Sequence, residues 1–160
     1  MLGEHPSEPE QNSTPFGRRQ AEQLPRLLVI DDDQIHRMII CRIGDRAGFS
    51  TSDAIDPVTA GALVSEYAFD VATLDLSLGQ RAGSEVLAVF SRLKVAFPII
   101  IISGSDPEVA NHAFNLGRDL ELDMSAPITK PVDLTKLRET LTAIGAGWRS
   151  RHPDNCPAKL

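Results

Sequence analysis

Cysteine is nearly absent from this chain, with two in 160 residues. Cys41 sits inside an apolar helical pattern and Cys156 in a polar C-terminal stretch, which excludes both a disulfide framework and metal-ligand spacing. Both are read as reduced thiols. Long apolar runs are missing too: none approaches the roughly 18 residues that span a bilayer. The opening MLGEHPSEPEQNSTPFGRRQAEQ has no apolar core of the signal-peptide kind. A cytoplasmic protein without a membrane partner is expected. An excess of basic charge is also lacking. Sixteen Lys and Arg stand against 22 Asp and Glu, for a formal charge of −6. The basic residues are scattered, so nucleic acid is not an expected partner. No internal repeat is visible.

What is present suits one globular core. Apolar residues make up 42% of the chain and charged residues 24%, and 160 residues are too few for two ordinary domains. Residues 1–25 are rich in Glu, Gln, Pro, Ser and Asn with little to bury, and are expected to form a disordered leader. A folded domain is expected over 26–145, followed by a flexible tail over 146–160.

Within the domain, strand-length apolar runs alternate with helical periodicity. Leu27 to Ile30, Val71 to Leu74 and Ile99 to Ile102 are apolar throughout, as strands covered on both faces must be. A weaker strand is expected from Thr51 to Ala54. A fifth, expected from Leu122 to Ile128, is broken by Pro127 and so belongs at an edge. Ile35, Met38, Ile39 and Ile43 recur at helical spacing, and Asp56-Pro57 is a cap followed by a first-turn proline. Further helices are expected from Ser84 to about Lys94, from about Val109 to Leu120, and from Asp133 to about Ile144. The order βαβαβαβαβα predicts an α/β fold, a doubly wound parallel five-stranded sheet with helices on both faces.

In such a sheet, ligands gather beyond the C-terminal strand ends. Those ends carry Asp31, Asp32 and Asp33 after the first strand, Asp75 after the third, Ser103 after the fourth and Lys130 beside the fifth. Carboxylates converging without histidine or cysteine suit a hard divalent cation, with Asp32 and Asp75 as direct ligands of Mg2+. Beside a metal, the Asp75 carboxylate has the chemistry of a nucleophile toward phosphorus. Ser103 can donate to one phosphoryl oxygen and Lys130 can neutralise another. Asp33 is read as a helix cap only. His36 and His112 are read as surface residues, because no four-helix pattern surrounds either.

The motifs LLVIDDD at 27–33, LDLSLGQRAG at 74–83, IIIISGS at 99–105 and TKP at 129–131 resemble the receiver domains of two-component response regulators. The resemblance covers roughly Pro25 to Ile144 and implies the flavodoxin-like (βα)5 receiver fold. It further implies that Asp75 is phosphorylated by a sensor histidine kinase or histidine phosphotransfer protein. Mg2+ would be held by Asp31, Asp32, Asp75 and the backbone carbonyl of Ser77. Ser103 and Lys130 would occupy the phosphoryl-stabilising positions, Gly104 the position where a small residue is required, and Pro131 would follow a cis peptide. Ser77 and Ser105 would flank the path of the attacking water. Gly83 matches the family's loop glycine and is expected at positive φ.

Two positions depart from the family. Gly79 replaces the loop proline, and Pro127 replaces the switch aromatic, so the common coupling of hydroxyl and aromatic is not available. The long segment before Lys130 is similar to receivers that accompany cyclic-di-nucleotide phosphodiesterase domains. The resemblance implies a single-domain regulator, monomeric or weakly dimeric, that signals through its fourth helix, fifth strand and fifth helix. It would be no enzyme beyond self-catalysed phosphotransfer and autodephosphorylation. The alternatives are a pseudo-receiver that docks partners without phosphorylation and an Asp-nucleophile, Mg2+-dependent phosphatase. The phosphatase is disfavoured because Ser77 stands where a second Asp would be needed.

Overall fold

Leu27 and Val29 face one side of the sheet while Leu28 and Ile30 face the other, and both sides are buried. That two-sided burial is what a continuous apolar run requires, and it sets the architecture. The computed structural model describes residues 23–76, 80–104 and 106–155. Strands β1 (Arg26–Ile30), β2 (Ser50–Ala54), β3 (Val71–Asp75), β4 (Ile99–Ser103) and β5 (Met124–Thr129) alternate with five helices. These are α1 (Gln34–Arg46), α2 (Pro57–Glu66), α3 (Gln80–Arg92), α4 (Pro107–Asp119) and α5 (Leu134–Arg151). All pairings are parallel, in the order β2-β1-β3-β4-β5. The expected doubly wound, flavodoxin-like α/β fold is the one found.

The two faces hold separate cores. Leu28, Ile30, Leu74, Ile99 and Ile101 pack with Ala60 of α2, Val86, Leu87 and Phe90 of α3, and Ala113 of α4. On the other face Leu27, Val29, Val71, Ile100, Ile102 and Ile128 pack with Ile40 and Ile43 of α1 and with Leu137 and Leu141 of α5. Four helices are capped by aspartates, Asp33, Asp56, Asp106 and Asp133, each accepting a backbone N–H of the first turn. Asp56 and Asp106 are each followed by Pro, whose missing N–H costs nothing at that position. Gly48, just past α1, has a φ of 87° that lets the chain turn into β2.

Several boundaries differ from those the pattern predicts. Helix α3 begins at Gln80 and not at Ser84, because its buried stripe of Val86, Leu87 and Phe90 starts only in the second turn. Gly83 therefore lies inside α3 and has no positive φ. Its lack of a side chain serves packing instead, since a Cβ there would stand 2.9 Å from Cδ2 of Leu76. Strand β5 runs from Met124 to Thr129, two residues later than expected at its start and one at its end. Its register against β4 slips between Ile100 and Ile102, so Ala126 and Pro127 together oppose Ile101. An extra residue at a proline on an edge strand removes no ladder bond that a central strand would need.

The largest correction concerns the end of the chain. Gly145 and Gly147 interrupt the apolar pattern, yet α5 continues to Arg151 and is followed by a 3-10 turn at Pro153–Asn155. The buried stripe of Leu137, Leu141, Gly145 and Trp148 carries it through, so the described residues from 146 to 151 are helix where a tail was expected to begin. Gly145 lets the helix approach Phe49, and Arg149 donates to the carbonyl of Ala47 at 3.3 Å. The leader predicted over 1–25 lies outside the described residues except for its last three positions, and Cys156 lies outside them as well.

Candidate functional site

Strand order reverses between β1 and β3, and the residues leaving their C-terminal ends meet in the crevice above. Asp31 follows β1 and Asp75 ends β3. They are 0% and 1% exposed. Ser103 ends β4 and is buried, and its carbonyl accepts the backbone N–H of Lys130 at 2.6 Å, tying the start of the β5–α5 connection to the site. The Lys130–Pro131 peptide is cis.

Nζ of Lys130 donates to Oδ2 of Asp75 at 2.5 Å and lies 3.3 Å from Nδ1 of His36. That same Nδ1 is 3.6 Å from Oδ2 of Asp31. Oδ1 of Asp31 accepts the N–H of Asp33 at 2.8 Å, whereas its Oδ2 is buried with no hydrogen-bond partner among the described residues. Burial, followed by the adjoining Asp75 carboxylate, pushes Asp31 up to about 7. Asp33 moves the other way, held low by the His36 N–H that it accepts as a helix cap.

A buried carboxylate oxygen with no partner, beside a second carboxylate, is an unbalanced arrangement that a divalent cation would complete. Ligand atoms of Asp31, His36 and Asp75 all lie within 4.8 Å of one another, so these residues could hold a metal. The expected ligand Asp32 is not in that group. Its side chain is exposed, and its backbone carbonyl accepts from Arg37 at 3.0 Å. Ser77, Gly79 and Ser105 lie outside the described residues. At Gly104 a Cβ would meet nothing within 4 Å among the described residues. Pro127 is half-buried in the β5 bulge, shortly before Lys130 in the chain.

Two residues near the chemistry escaped the sequence reading. Arg37 donates through Nη1 to the carbonyls of Asp31 and Asp32, and through Nε to Asp53. His36, expected on the surface, is half-buried with its ring against the acidic pair. The available signal was their position three and four residues past the cap Asp33, in the turn that faces back over the strand ends. Beside them a cavity of about 320 Å³ is lined by Asp31, His36, Ile39, Lys130, Val132 and Leu134, among others. Ile39 and Leu134 of this lining are exposed, as are Ile35 and Met38 of α1.

This arrangement defines a doubly wound α/β domain with an acidic site at the C-terminal strand ends. The chain belongs to the response regulator receiver domain family of two-component systems, which it matches over residues 27–142. It is 31% identical over 134 residues to the regulatory protein VirG of Agrobacterium tumefaciens, an alignment covering 84% of this chain and 47% of VirG. The chain thus spans about half the length of that relative. Among solved structures, a response regulator from Colwellia psychrerythraea superposes with a TM-score of 0.68 at 23% identity, covering 78% of this chain and 99% of the other. A Burkholderia pseudomallei response regulator solved with a phosphorylated aspartic acid, calcium ion and citrate has a TM-score of 0.61 at 20% identity, covering 85% and 77%. Receiver domains are signalling domains that bind Mg2+ at an acidic site and interact with histidine kinases or phosphotransfer proteins. Among the described residues no helix is long and apolar enough to cross a membrane.

Proposed function

We propose that Asp75 accepts a phosphoryl group from a histidine kinase or phosphotransfer protein, with Mg2+ held by Asp31, Asp75, the exposed Asp32 and the carbonyl of Ser77. The observation that carries this reading is the pairing of a buried Asp75, at the end of the central strand β3, with Lys130 and with the orphaned oxygen of Asp31. When bound, Mg2+ supplies a hard cation that offsets repulsion between carboxylates and phosphoryl oxygens.

The chain's own residues do the rest. A carboxylate oxygen of Asp75 forms the new bond to phosphorus as the bond from phosphorus to the donor imidazole breaks, and the imidazole leaves with its electron pair. Lys130 turns from Asp75 to a phosphoryl oxygen, and the Ser103 hydroxyl donates to another. The exposed apolar rim of Ile35, Met38, Ile39 and Leu134 supports docking of the donor protein beside the crevice. Output leaves through α4, β5 and α5, where the β5 bulge at Pro127 takes the place of a rotating ring. The Burkholderia structure, with its phosphorylated aspartic acid, supports the compatibility of this fold with that modification.

The test is incubation with acetyl phosphate, with and without Mg2+, read by intact mass on wild type, Asp75→Asn and Lys130→Ala. A Mg2+-dependent phosphoryl adduct that Asp75→Asn abolishes and Lys130→Ala slows is the expected result. No adduct under conditions that label another receiver would sink the reading in favour of a partner-docking pseudo-receiver.

A further inference from the structure

We propose that His36 is itself a metal ligand of this site, with Asp31 and Asp75, so that the site prefers a divalent first-row transition cation of the Co2+, Ni2+ or Zn2+ kind over Mg2+. The inference rests on the preceding reading that the carboxylate pair holds a divalent cation.

The geometry begins with the helix. Asp33 caps α1 by accepting the backbone N–H of His36 at 2.9 Å, which fixes the third residue of the helix directly over the end of β1. From there Nδ1 of the imidazole lies 3.6 Å from Oδ2 of Asp31. That oxygen is the buried carboxylate atom without a hydrogen-bond partner. An unpartnered buried acceptor costs free energy, and a cation held between it and the ring would relieve that cost.

The spacing fits coordination. The ligand atoms of Asp31, His36 and Asp75 lie within 4.8 Å of one another. An octahedral ion with bonds of about 2.1 Å sets its ligands roughly 3 to 4 Å apart, so small side-chain shifts suffice. Lys130 already reports where positive charge is wanted, since its ammonium bonds Asp75 and lies 3.3 Å from Nδ1 of His36. The lone pair that faces the ammonium is the one a metal would take. Asp32, the third acid of a purely oxygen set, is exposed and outside this group.

Ligand chemistry then decides the preference. Carboxylates and water suit Mg2+, whereas a neutral imidazole raises affinity for Co2+, Ni2+ and Zn2+ along the usual order of divalent ions. Replacing one oxygen ligand with nitrogen therefore shifts selectivity without closing the site to Mg2+.

The test is calorimetric titration of the full chain with CoCl2 and, separately, MgCl2 at about pH 8, where an ordinary imidazole is neutral. Visible absorption of bound Co2+ is recorded alongside. Wild type is expected to bind Co2+ more tightly than Mg2+. His36→Gln is expected to lose about tenfold or more in Co2+ affinity and to change the Co2+ spectrum, with Mg2+ affinity nearly unchanged. His112→Gln, a control on α4, is expected to alter neither, and melting curves check that both variants fold.

Unchanged Co2+ affinity in His36→Gln, or an equal loss for both ions, overturns the inference and leaves His36 a packing residue. Failure of the underlying reading looks different: wild type then binds no Mg2+ and takes no phosphoryl group. Loss of Co2+ with His36→Gln in that case still supports the imidazole as ligand.

Discussion

Arg37 donates from Nε to Oδ2 of Asp53 at 2.8 Å, and this contact between α1 and β2 aims the rest of its guanidinium at the acidic loop. Nη1 then reaches the carbonyls of Asp31 and Asp32 at 2.9 and 3.0 Å. The loop that carries the carboxylates is thus held from behind by a fork that lysine cannot reproduce. Arg37→Ala is expected to weaken Mg2+ binding by about tenfold, as losses behind a metal site commonly do. Arg37→Lys should recover little of it. Calorimetry that found wild-type affinity in both variants would remove Arg37 from this positioning role.

Asp31 sets a pH dependence of stability in the metal-free protein. Its native value is raised from 3.8 to about 7, so between those values the folded chain holds a proton that the unfolded chain has released. The unfolded state then binds fewer protons, and stability falls as pH rises through that window. The caps Asp33 and Asp56 are lowered and act in the opposite sense, losing their contribution only in acid. Urea unfolding in EDTA, compared between wild type and Asp31→Asn across pH 4 to 7, isolates the Asp31 contribution. Wild type should lose stability relative to the variant as pH rises; a flat difference would refute the assignment.

Gly44→Ala tests how closely α1 lies on the sheet. A Cβ at Gly44 would stand 2.6 Å from Cδ2 of Leu27 and 2.8 Å from Cγ2 of Thr51. Leu27 is fully buried and cannot step aside cheaply. Overpacking of about 1–3 kcal/mol should outweigh the roughly 1 kcal/mol by which alanine favours a helix over glycine. A net loss in chemical denaturation is expected, and a gain would mean that α1 can slide.

Trp148→Ala tests whether the last two turns of α5 are part of the domain. Trp148 is 6% exposed and its ring stacks on His152 at a centroid distance of 4.4 Å. Truncation of a buried tryptophan costs about 3–5 kcal/mol. A loss below about 0.5 kcal/mol, the usual range for surface substitutions, would show that this turn contributes nothing to the core.

Local pattern determined much of this protein. Uninterrupted apolar runs at Leu27 to Ile30, Val71 to Leu74 and Ile99 to Ile102 can be buried only between two helical layers, so they dictate a parallel sheet. In such a sheet Asp31, Asp75, Ser103 and Lys130 must lie at one edge, because each follows or ends a strand pointing the same way. The aspartate caps were legible for the same reason, as their chemistry extends over only three residues.

Tertiary structure decided what depends on contacts distant along the chain. The α5 extension carries the buried Trp148 and sets Gly145 against Phe49, a pairing that no window around Gly145 and Gly147 contains. Gly83 became a packing glycine inside α3 only because Leu76 lies against it. The site was sorted likewise: adjacent residues of a chain leaving a strand point apart, so Asp31 went inward, Asp32 went to solvent, and the first turn of α1 brought His36 beside Asp31 and Asp75.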